Sequence, residues 1–324
     1  MTQRSDEISM RTKIAGQRFG RVFWKICRVL LLIGLEFMIL YPFLYMAATS
    51  FRSTEDIMNP MVIWLTRHWS LEHVHTIIDT FDYWGLLGYT AQICVGSALL
   101  QTFVCAMVGY GFARFHFRFK GFLFALLIFT IIVPPSTYIT PLFLLFKFFK
   151  IPGISQLLAL FGMDLTFSLV DTPVVYWLQA LFGMGFRSGL FVFIYRQFFR
   201  GLPAELEDAA SIDGSSAFRT FFSIMLPNAK AAMATVGIFS FVWHWNDYFV
   251  SSILSLSKTT LSVNLAQMRT LLAANMEASG GANYAVIQAQ VQAGVLLSLI
   301  PLLIVFIVGQ RFITTGIERS GLVG

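Results

Sequence analysis

An all-α, polytopic membrane protein with six transmembrane helices and both termini in the cytoplasm is predicted from three features of the sequence. Hydrophobic residues fill 56% of the 324 positions and charged residues only 12%, against about 25% charged in soluble proteins. Six apolar runs are each long enough to cross about 30 Å of hydrocarbon, which takes roughly 20 helical residues. The basic residues gather on one side of those runs, as the positive-inside rule requires.

The runs cover residues 29–49, 91–113, 122–146, 174–199, 229–250 and 288–308. With the N-terminus inside, the inner segments hold Arg4, Arg11, Lys13, Arg18, Arg21, Lys25, Arg28, Arg114, Arg118, Lys120, Arg196, Arg200, Arg219, Lys230, Arg311 and Arg319. The outer segments hold only Arg52, Arg67, Lys147, Lys150, Lys258 and Arg269, and Arg187 falls within the fourth run. Residues 1–28 are then a cytoplasmic segment, 29–310 the membrane domain and 311–324 a cytoplasmic tail. The first run is too long, and lacks a small-residue cleavage site after it, for a cleavable signal. The net charge of +6 is spread over loops rather than concentrated in a patch, which points to membrane lipid and away from nucleic acid. Cys27, Cys94 and Cys105 lie at or within apolar runs and imply no disulfide framework.

Between the first two runs, Glu55, Asp56, Glu72, Asp79 and Asp82 mix with Trp64, Trp69 and Trp84, as in a folded cap at an aromatic-rich interface. His68, His73 and His75 read there as surface residues, without metal spacing. Residues 151–172 contain Pro152, Gly153, Gly162, Asp164 and Asp171 around a short apolar stretch, the pattern of a re-entrant or surface helix rather than a seventh span. Pro134-Pro135 and Gly183, Gly185 and Gly189 mark bent or closely packed helices.

The most informative segment lies between the fourth and fifth runs, residues 200–228. Glu205, Glu207, Asp208 and Asp213 form a short acidic helix that a hydrophobic chain has no stability reason to keep, unless a soluble partner grips it. Pro203 suits the first turn, where its missing N–H would be unpaired anyway, and the early carboxylates favour the helix dipole. Gly214 supplies the stop. Leu202, Leu206, Ala209, Ala210 and Ile212 form one broad face, small enough at the alanines for close approach. Ser215 or Ser216 can cap a second short helix carrying Phe218, Phe221, Phe222 and Met225 and ending before Pro227.

Asp208-Ala209-Ala210, Gly214 and Ile224-Met225-Leu226-Pro227 resemble, with both spacings kept, the cytoplasmic loop of permease subunits of binding-protein-dependent ABC importers, which reads Glu-Ala-Ala, then Gly, then Ile-x-Leu-Pro. Asp replaces the usual Glu, and Ser215 stands where Ala is common. The resemblance narrows to the maltose and glycerol-phosphate type of sugar permease through Tyr41-Pro42-Phe43, Ser50-Phe51-Arg52, Gly111-Phe112-Ala113-Arg114-Phe115, Pro134-Pro135, Pro141-Leu142 and Trp245-Asn246-Asp247. Its tail, Thr315-Gly316 to Gly324, is similar too, although Val323 replaces the usual lysine. The resemblance implies a bacterial inner-membrane location, a second homologous permease, two ATP-binding subunits and a periplasmic or extracellular sugar-binding protein. It implies that Glu205, Glu207, Asp208, Ala209, Ala210, Asp213 and Gly214 couple to the ATPase. This chain has no Gly-Lys pair and hence no phosphate loop of its own, so it binds no cofactor, and ATP and Mg are used by the partner; it is not an enzyme.

Arg187, deep in the fourth run, carries a charge that costs roughly 2.5 to 3.5 kcal/mol at the bilayer centre. It either meets an acidic cargo or pairs with Glu36 in the first run. Trp243, Trp245, Asn246 and Asp247, with Tyr138, are aromatic and polar groups suited to sugar rings, as well as to interfacial anchoring. Gln92, Gln101 and Gln179 are further pathway candidates or links between helices. The expected activity is uptake of carbohydrate, with a uronate oligomer as one cargo. The rivals are an ion-coupled secondary transporter, which runs without ATP, and a membrane scaffold that transports nothing.

Overall fold

The computed structural model describes residues 2–320 apart from 60, 63–65, 152, 154 and 156–164, with side-chain surroundings given for 20–312 apart from these and residue 22. Trp64, Pro152, Gly162, Asp164 and Val323 lie outside the described residues. The elements are helical: α1 (Thr2–Ser50), α2 (Thr54–Met58), α3 (Glu72–Thr80), α4 (Tyr83–Arg114), α5 (Lys120–Ile132), α6 (Ile139–Lys147), α7 (Val174–Leu181), α8 (Ser188–Gly201), α9 (Glu205–Ile212), α10 (Ala217–Thr220), α11 (Leu226–Asn228), α12 (Lys230–Trp245), α13 (Ser251–Leu254), α14 (Leu261–Ala278) and α15 (Tyr284–Ser320).

Among the described residues three helical stretches, Phe23–Ser50, Tyr83–Arg114 and Tyr284–Phe312, are long and apolar enough to cross a membrane whole. Residues Ala217–Asn228 and Lys230–Trp245 would make a fourth, bent by 79°. The third and fourth predicted runs are not continuous helices. The third divides at Val133 and Pro134, both extended, because a proline has no N–H for the helix ladder and forces the residue before it out of helical geometry. The fourth divides between Leu181 and Ser188. There Gly183 takes φ +68°, and the N–H groups of Gly183 and Met184 donate to the carbonyls of Ala180 and Gln179 at 3.1 and 2.8 Å, the paired bonds of a Schellman stop. At the ends, α1 and α15 run without interruption across the boundaries expected at residue 28 and residue 310.

The centre of the molecule is α4, which packs on α7, α8 and α12. Its crossing with α8 is close because Gly109 has no side chain: a Cβ there would lie 2.6 Å from that of Tyr195 and 3.1 Å from the carbonyl oxygen of Val192. Small residues at helix contacts are how apolar helices gain van der Waals packing when lipid offers no hydrophobic drive. Tyr195, Phe191 and Phe199 are fully buried beside it. In contrast, α1 touches mainly α15 and leaves its apolar side chains outward, where lipid or other chains solvate them.

The chain between α1 and α4 forms a folded cap. Asp56, 2% exposed, accepts hydrogen bonds from the backbone N–H of His68 at 2.8 Å and of Arg67 at 2.6 Å, and from the Thr66 hydroxyl at 2.7 Å. These donors, the His68 amide foremost, hold its carboxyl well below the usual carboxylate range. Trp69 and Trp84 stay exposed. His73 departs from its expected surface position: it is fully buried, four residues before Ile77 on the face of α3 that packs on α15. Neither ring nitrogen has a hydrogen-bond partner among the described residues. Burial lowers its pKa below the ordinary 6.5, so the unfolded cap takes up a proton before the folded one does. Cap stability is therefore full above pH 6.5 and falls progressively as the pH drops below that value. The protection factors of residues 72–80, which remove the intrinsic pH dependence of amide exchange, should fall between pH 7 and pH 5, and His73→Leu should flatten that fall; equal slopes in the two proteins would refute it.

Phe149 and Phe167 exchange backbone hydrogen bonds of 3.0 and 3.2 Å. Residues 152, 154 and 156–164, at the centre of the expected re-entrant or surface helix, lie outside the described residues.

Candidate functional site

The loop 200–228 is built as two helical pieces around Gly214. Pro203 lies ahead of α9 rather than in its first turn, because Ala204 occupies the N-cap and its carbonyl receives the N–H groups of Glu207 and Asp208 at 2.9 and 3.2 Å. Glu205, Glu207 and Asp208 do fall in the first turn, where negative charge opposes the positive end of the helix dipole. At the other end, Gly214 adopts φ +73°. Its N–H donates to the carbonyl of Ser211 at 3.0 Å, and that of Ser215 reaches back to Ala210 at 2.9 Å. This Schellman pair needs a left-handed residue, which glycine adopts without strain. Ser216 then caps α10 through the Arg219 amide.

The second piece does not end before Pro227. Residues Phe221–Met225 form a π turn in which the Leu226 N–H bonds to the Phe221 carbonyl, and Pro227 lies inside α11. Widening by one residue accommodates a proline that has no N–H to give. The change of direction comes at Ala229.

The apolar residues of α9 do not share one face. Ala210 is buried and Leu206 half-buried against the body, while Ala209 is exposed and Ile212 is 87% exposed. Phe218 at 69% and Phe222 at 53% also project outward. The outer surface thus combines exposed apolar groups with Glu205, Asp208 and Asp213. Glu207, expected among the outward carboxylates, points inward. Its Oε1 accepts the Tyr110 hydroxyl at 2.6 Å and its Oε2 lies 2.9 Å from Nε of Arg114, whose Nη2 donates to the Leu202 carbonyl at 2.6 Å. Tyr110 and Arg114 thus join the loop to the end of α4. Nothing in the spacing of the loop signals this, although Arg114 stands in the motif that follows the second run. Phe221, Met225, Leu226 and Ala229 are buried in one cluster with Tyr110, Phe191 and Phe199, so the loop and the helices α4 and α8 share one core.

A second feature lies at the break between α7 and α8. Arg187 is the N-cap of α8, with φ +64° and ψ +15°, a left-handed conformation that costs a residue with a side chain roughly 1 to 2 kcal/mol. It lines a cavity of about 510 Å³ together with Tyr138, Pro134, Met184, Phe186 and Ser188. The guanidinium lies 5.4 Å from the centre of the Phe186 ring and 5.6 Å from that of Trp243, within cation–π range. Of the two alternatives for Arg187, the pairing with Glu36 is not formed: the ion pairs among the described residues are His68 with Asp56 and Arg114 with Glu207, and Glu36 is on the exposed side of α1.

The group from Trp243 to Asp247 is divided rather than gathered. Trp243 stacks on Phe191 and faces Arg187. Trp245 is buried, donates its indole N–H to the Ser298 carbonyl at 3.1 Å and, with Asn246, lines a separate cavity of about 310 Å³. Asp247 returns towards Tyr138 and His244 in a small polar chamber beside Phe186, and its carboxylate caps α13 by accepting the backbone N–H of Val250 and of Ser251. Successive residues of a helix point about 100° apart, which is what separates neighbours in sequence here. Gln101, Ser188, Ser240 and His244 form a buried chain behind Arg187; in the sequence Gln101 stood out as a pathway residue or helix link and His244 as part of the group from Trp243 to Asp247, whereas Ser188 and Ser240 carried no such signal.

The architecture is similar to that of a solved bacterial ABC transporter involved in the import of the acidic polysaccharide alginate, with a TM-score of 0.68, 19% identity, and coverage of 90% of this chain and 96% of that one. In sequence the chain is 26% identical to the arabinooligosaccharides transport system permease protein AraQ of Halalkalibacterium halodurans, over 91% of this chain and 96% of the relative. It is 28% identical to the sn-glycerol-3-phosphate transport system permease protein UgpE of Yersinia enterocolitica, over 91% and 95%. The diacetylchitobiose uptake system permease protein NgcG of Streptomyces coelicolor is 26% identical over 90% and 86%. With residues 103–317 matching the model of the binding-protein-dependent transport system inner membrane component family, the chain belongs to that family of membrane permease subunits.

Proposed function

We propose that this chain forms half of the pathway of an ATP-driven importer of acidic carbohydrate oligomers, such as uronates. The observation that carries the cargo class is Arg187: a guanidinium on a cavity of about 510 Å³, held by aromatic rings and with no carboxylate in ion-pair contact among the described residues. A cation within an apolar segment needs a counter-charge or water. A carboxylate on the cargo supplies one, and the planar fork of Arg suits it in bidentate fashion. The positive end of the α8 dipole adds in the same direction. Tyr138 and Phe186, which line the cavity, offer faces for sugar C–H surfaces. The alginate importer and the named oligosaccharide and glycerol-phosphate permeases agree with such a cargo.

In this reading the chain crosses the inner membrane six times, with the third and fourth crossings broken, and both termini lie in the cytoplasm. The loop 200–228 receives one of two ATP-binding subunits, which use ATP and Mg. A second permease completes the pathway, and an external sugar-binding protein delivers cargo. Broken helices also occur in ion-coupled transporters. Collapsing the proton gradient while ATP is retained separates the two: uptake continues here and stops there.

The test of the cargo assignment is Arg187→Gln in proteoliposomes holding the assembled complex. A charge-assisted hydrogen bond contributes about 1.5 to 3 kcal/mol, so uptake of acidic oligomer should fall roughly 10- to 100-fold, with neutral oligomer uptake kept. Unchanged uptake of every cargo would remove Arg187 from the pathway.

A further inference from the structure

We propose that Gln101, a residue out of reach of the cavity, sets the cavity's preference for charged cargo by clamping Arg187 from both sides. The inference rests on the assignment of Arg187 to the acidic group of the cargo. Gln101 lies inside α4 and is fully buried. Its Nε2 donates to the carbonyl of Phe186 at 3.0 Å and to the hydroxyl of Ser188 at 2.8 Å, the two residues that flank Arg187. Its Oε1 accepts the hydroxyl of Ser240 on α12. The Ser240 carbonyl in turn lies 2.8 Å from Nδ1 of His244, whose ring meets Phe186 edge to face at 6.4 Å between centres.

One amide thus ties two helices, α4 and α12, to the peptide segment that carries the guanidinium. The approach is close enough that Gly185 is needed: a Cβ there would lie 2.5 Å from the Gln101 nitrogen and 3.1 Å from Cα of Ala180. Arg187 itself occupies the left-handed region, which L residues leave unless neighbours hold them. The exposed Arg187 side chain has no ion-pair partner to fix it; the rings of Phe186 and Trp243 hold it, and Phe186 belongs to the same clamped segment. Its direction is therefore set by these rings and by the backbone beneath it, and the backbone is set by the bonds to residues 186 and 188. Free of the clamp, the segment is able to relax towards right-handed geometry and swing the guanidinium off the cavity. Gln101 is then a positioning residue, acting through Arg187, and its loss should be felt by charged cargo far more than by neutral cargo.

Equilibrium binding to the assembled complex, measured by calorimetry with tetragalacturonate and with its fully methyl-esterified form, reads this directly, since the two differ in charge and little in shape. Wild-type complex should prefer the acid at least 10-fold, and Arg187→Gln should abolish the preference. Gln101→Met, which keeps length and volume but no hydrogen bonds, should reduce it at least fivefold while leaving ester binding within about twofold. Combined with Arg187→Gln it should add nothing, because residues that act through one another are not additive. Ser188→Ala, which removes one arm of the clamp, should give an intermediate preference, and it decides the matter if Gln101→Met does not assemble. Full preference in Gln101→Met or in Ser188→Ala, or effects of Gln101→Met and Arg187→Gln that add, would overturn the role of Gln101 while Arg187 kept its own. No difference between wild type and Arg187→Gln would instead overturn the cargo assignment, and this inference with it.

Discussion

Gly214→Val should lower ATP-dependent transport at least 10-fold, with the protein still inserted in the membrane. Two independent causes add. The first is conformational: Gly214 sits at φ +73°, which a β-branched residue adopts only with strain well beyond the roughly 1 to 2 kcal/mol of an ordinary side chain. Leaving that geometry breaks the bonds from residues 214 and 215 to Ser211 and Ala210 and frays the end of α9. The second is access. A Cβ at Gly214 meets nothing within 4 Å, so packing inside this chain gives no reason for glycine; on the proposed docking role, a surface brought against the loop by a partner does. Gly214→Asn separates the causes, because Asn tolerates the left-handed region yet carries a side chain. If strain alone matters, Asn restores transport and Val does not; if docking matters as well, both fail and both release the ATPase in pull-down assays. Wild-type transport by Val would remove Gly214, and with it the loop's geometry, from the coupling path.

What the sequence made legible depended on range. The turn at Gly214 was readable because its bonds join residues three and five positions apart, and the spacing from Asp208 to Gly214 to Pro227 fixes them locally. The division at Pro134-Pro135 was readable for the same reason, since a proline acts on its own backbone. The division before Ser188 was readable only as a bend or close packing marked by Gly183, Gly185 and Gly189: apolar residues continue through Phe182, Met184 and Phe186, so the pattern looks like one span, and the interruption is held by Gln101 from a distant helix. The inward turn of Glu207 was hidden in the same way, because an acidic side chain in a polar loop reads as solvated until Tyr110 and Arg114 are brought to it. His73 was half-visible: its spacing from Ile77 puts both on one side of α3, yet surrounding charges gave the segment a surface character.

That inward carboxylate leads to the second large effect. Glu207→Ala should reduce transport about 10-fold or more, comparable to the loss from Gly214→Val, while leaving the outer surface of the loop unchanged. A partner that pulls on Ile212, Phe218 and Asp208 moves the membrane helices only if α9 is fastened to them. The fastening consists of Glu207 with Tyr110 and Arg114, the latter also held to the Leu202 carbonyl, over the shared core around Phe199 and Phe221. Side chains in the ion pair are 16% and 22% exposed, so water screens it in part, and its value lies between the about 0 to 1 kcal/mol of a surface pair and the 3 to 5 kcal/mol lost on breaking a buried one. Removing Glu207 leaves the Tyr110 hydroxyl without its acceptor and the Arg114 guanidinium without its counter-charge, at a cost of roughly 1 to 3 kcal/mol. Because the docking face survives, Glu207→Ala should still bind the ATPase and hydrolyse ATP, but hydrolysis should run without import. Gly214→Val fails earlier, at binding. The exchange Glu207→Arg with Arg114→Glu should recover part of the transport that either change alone removes. Import coupled normally in Glu207→Ala would show that the apolar core transmits the motion by itself.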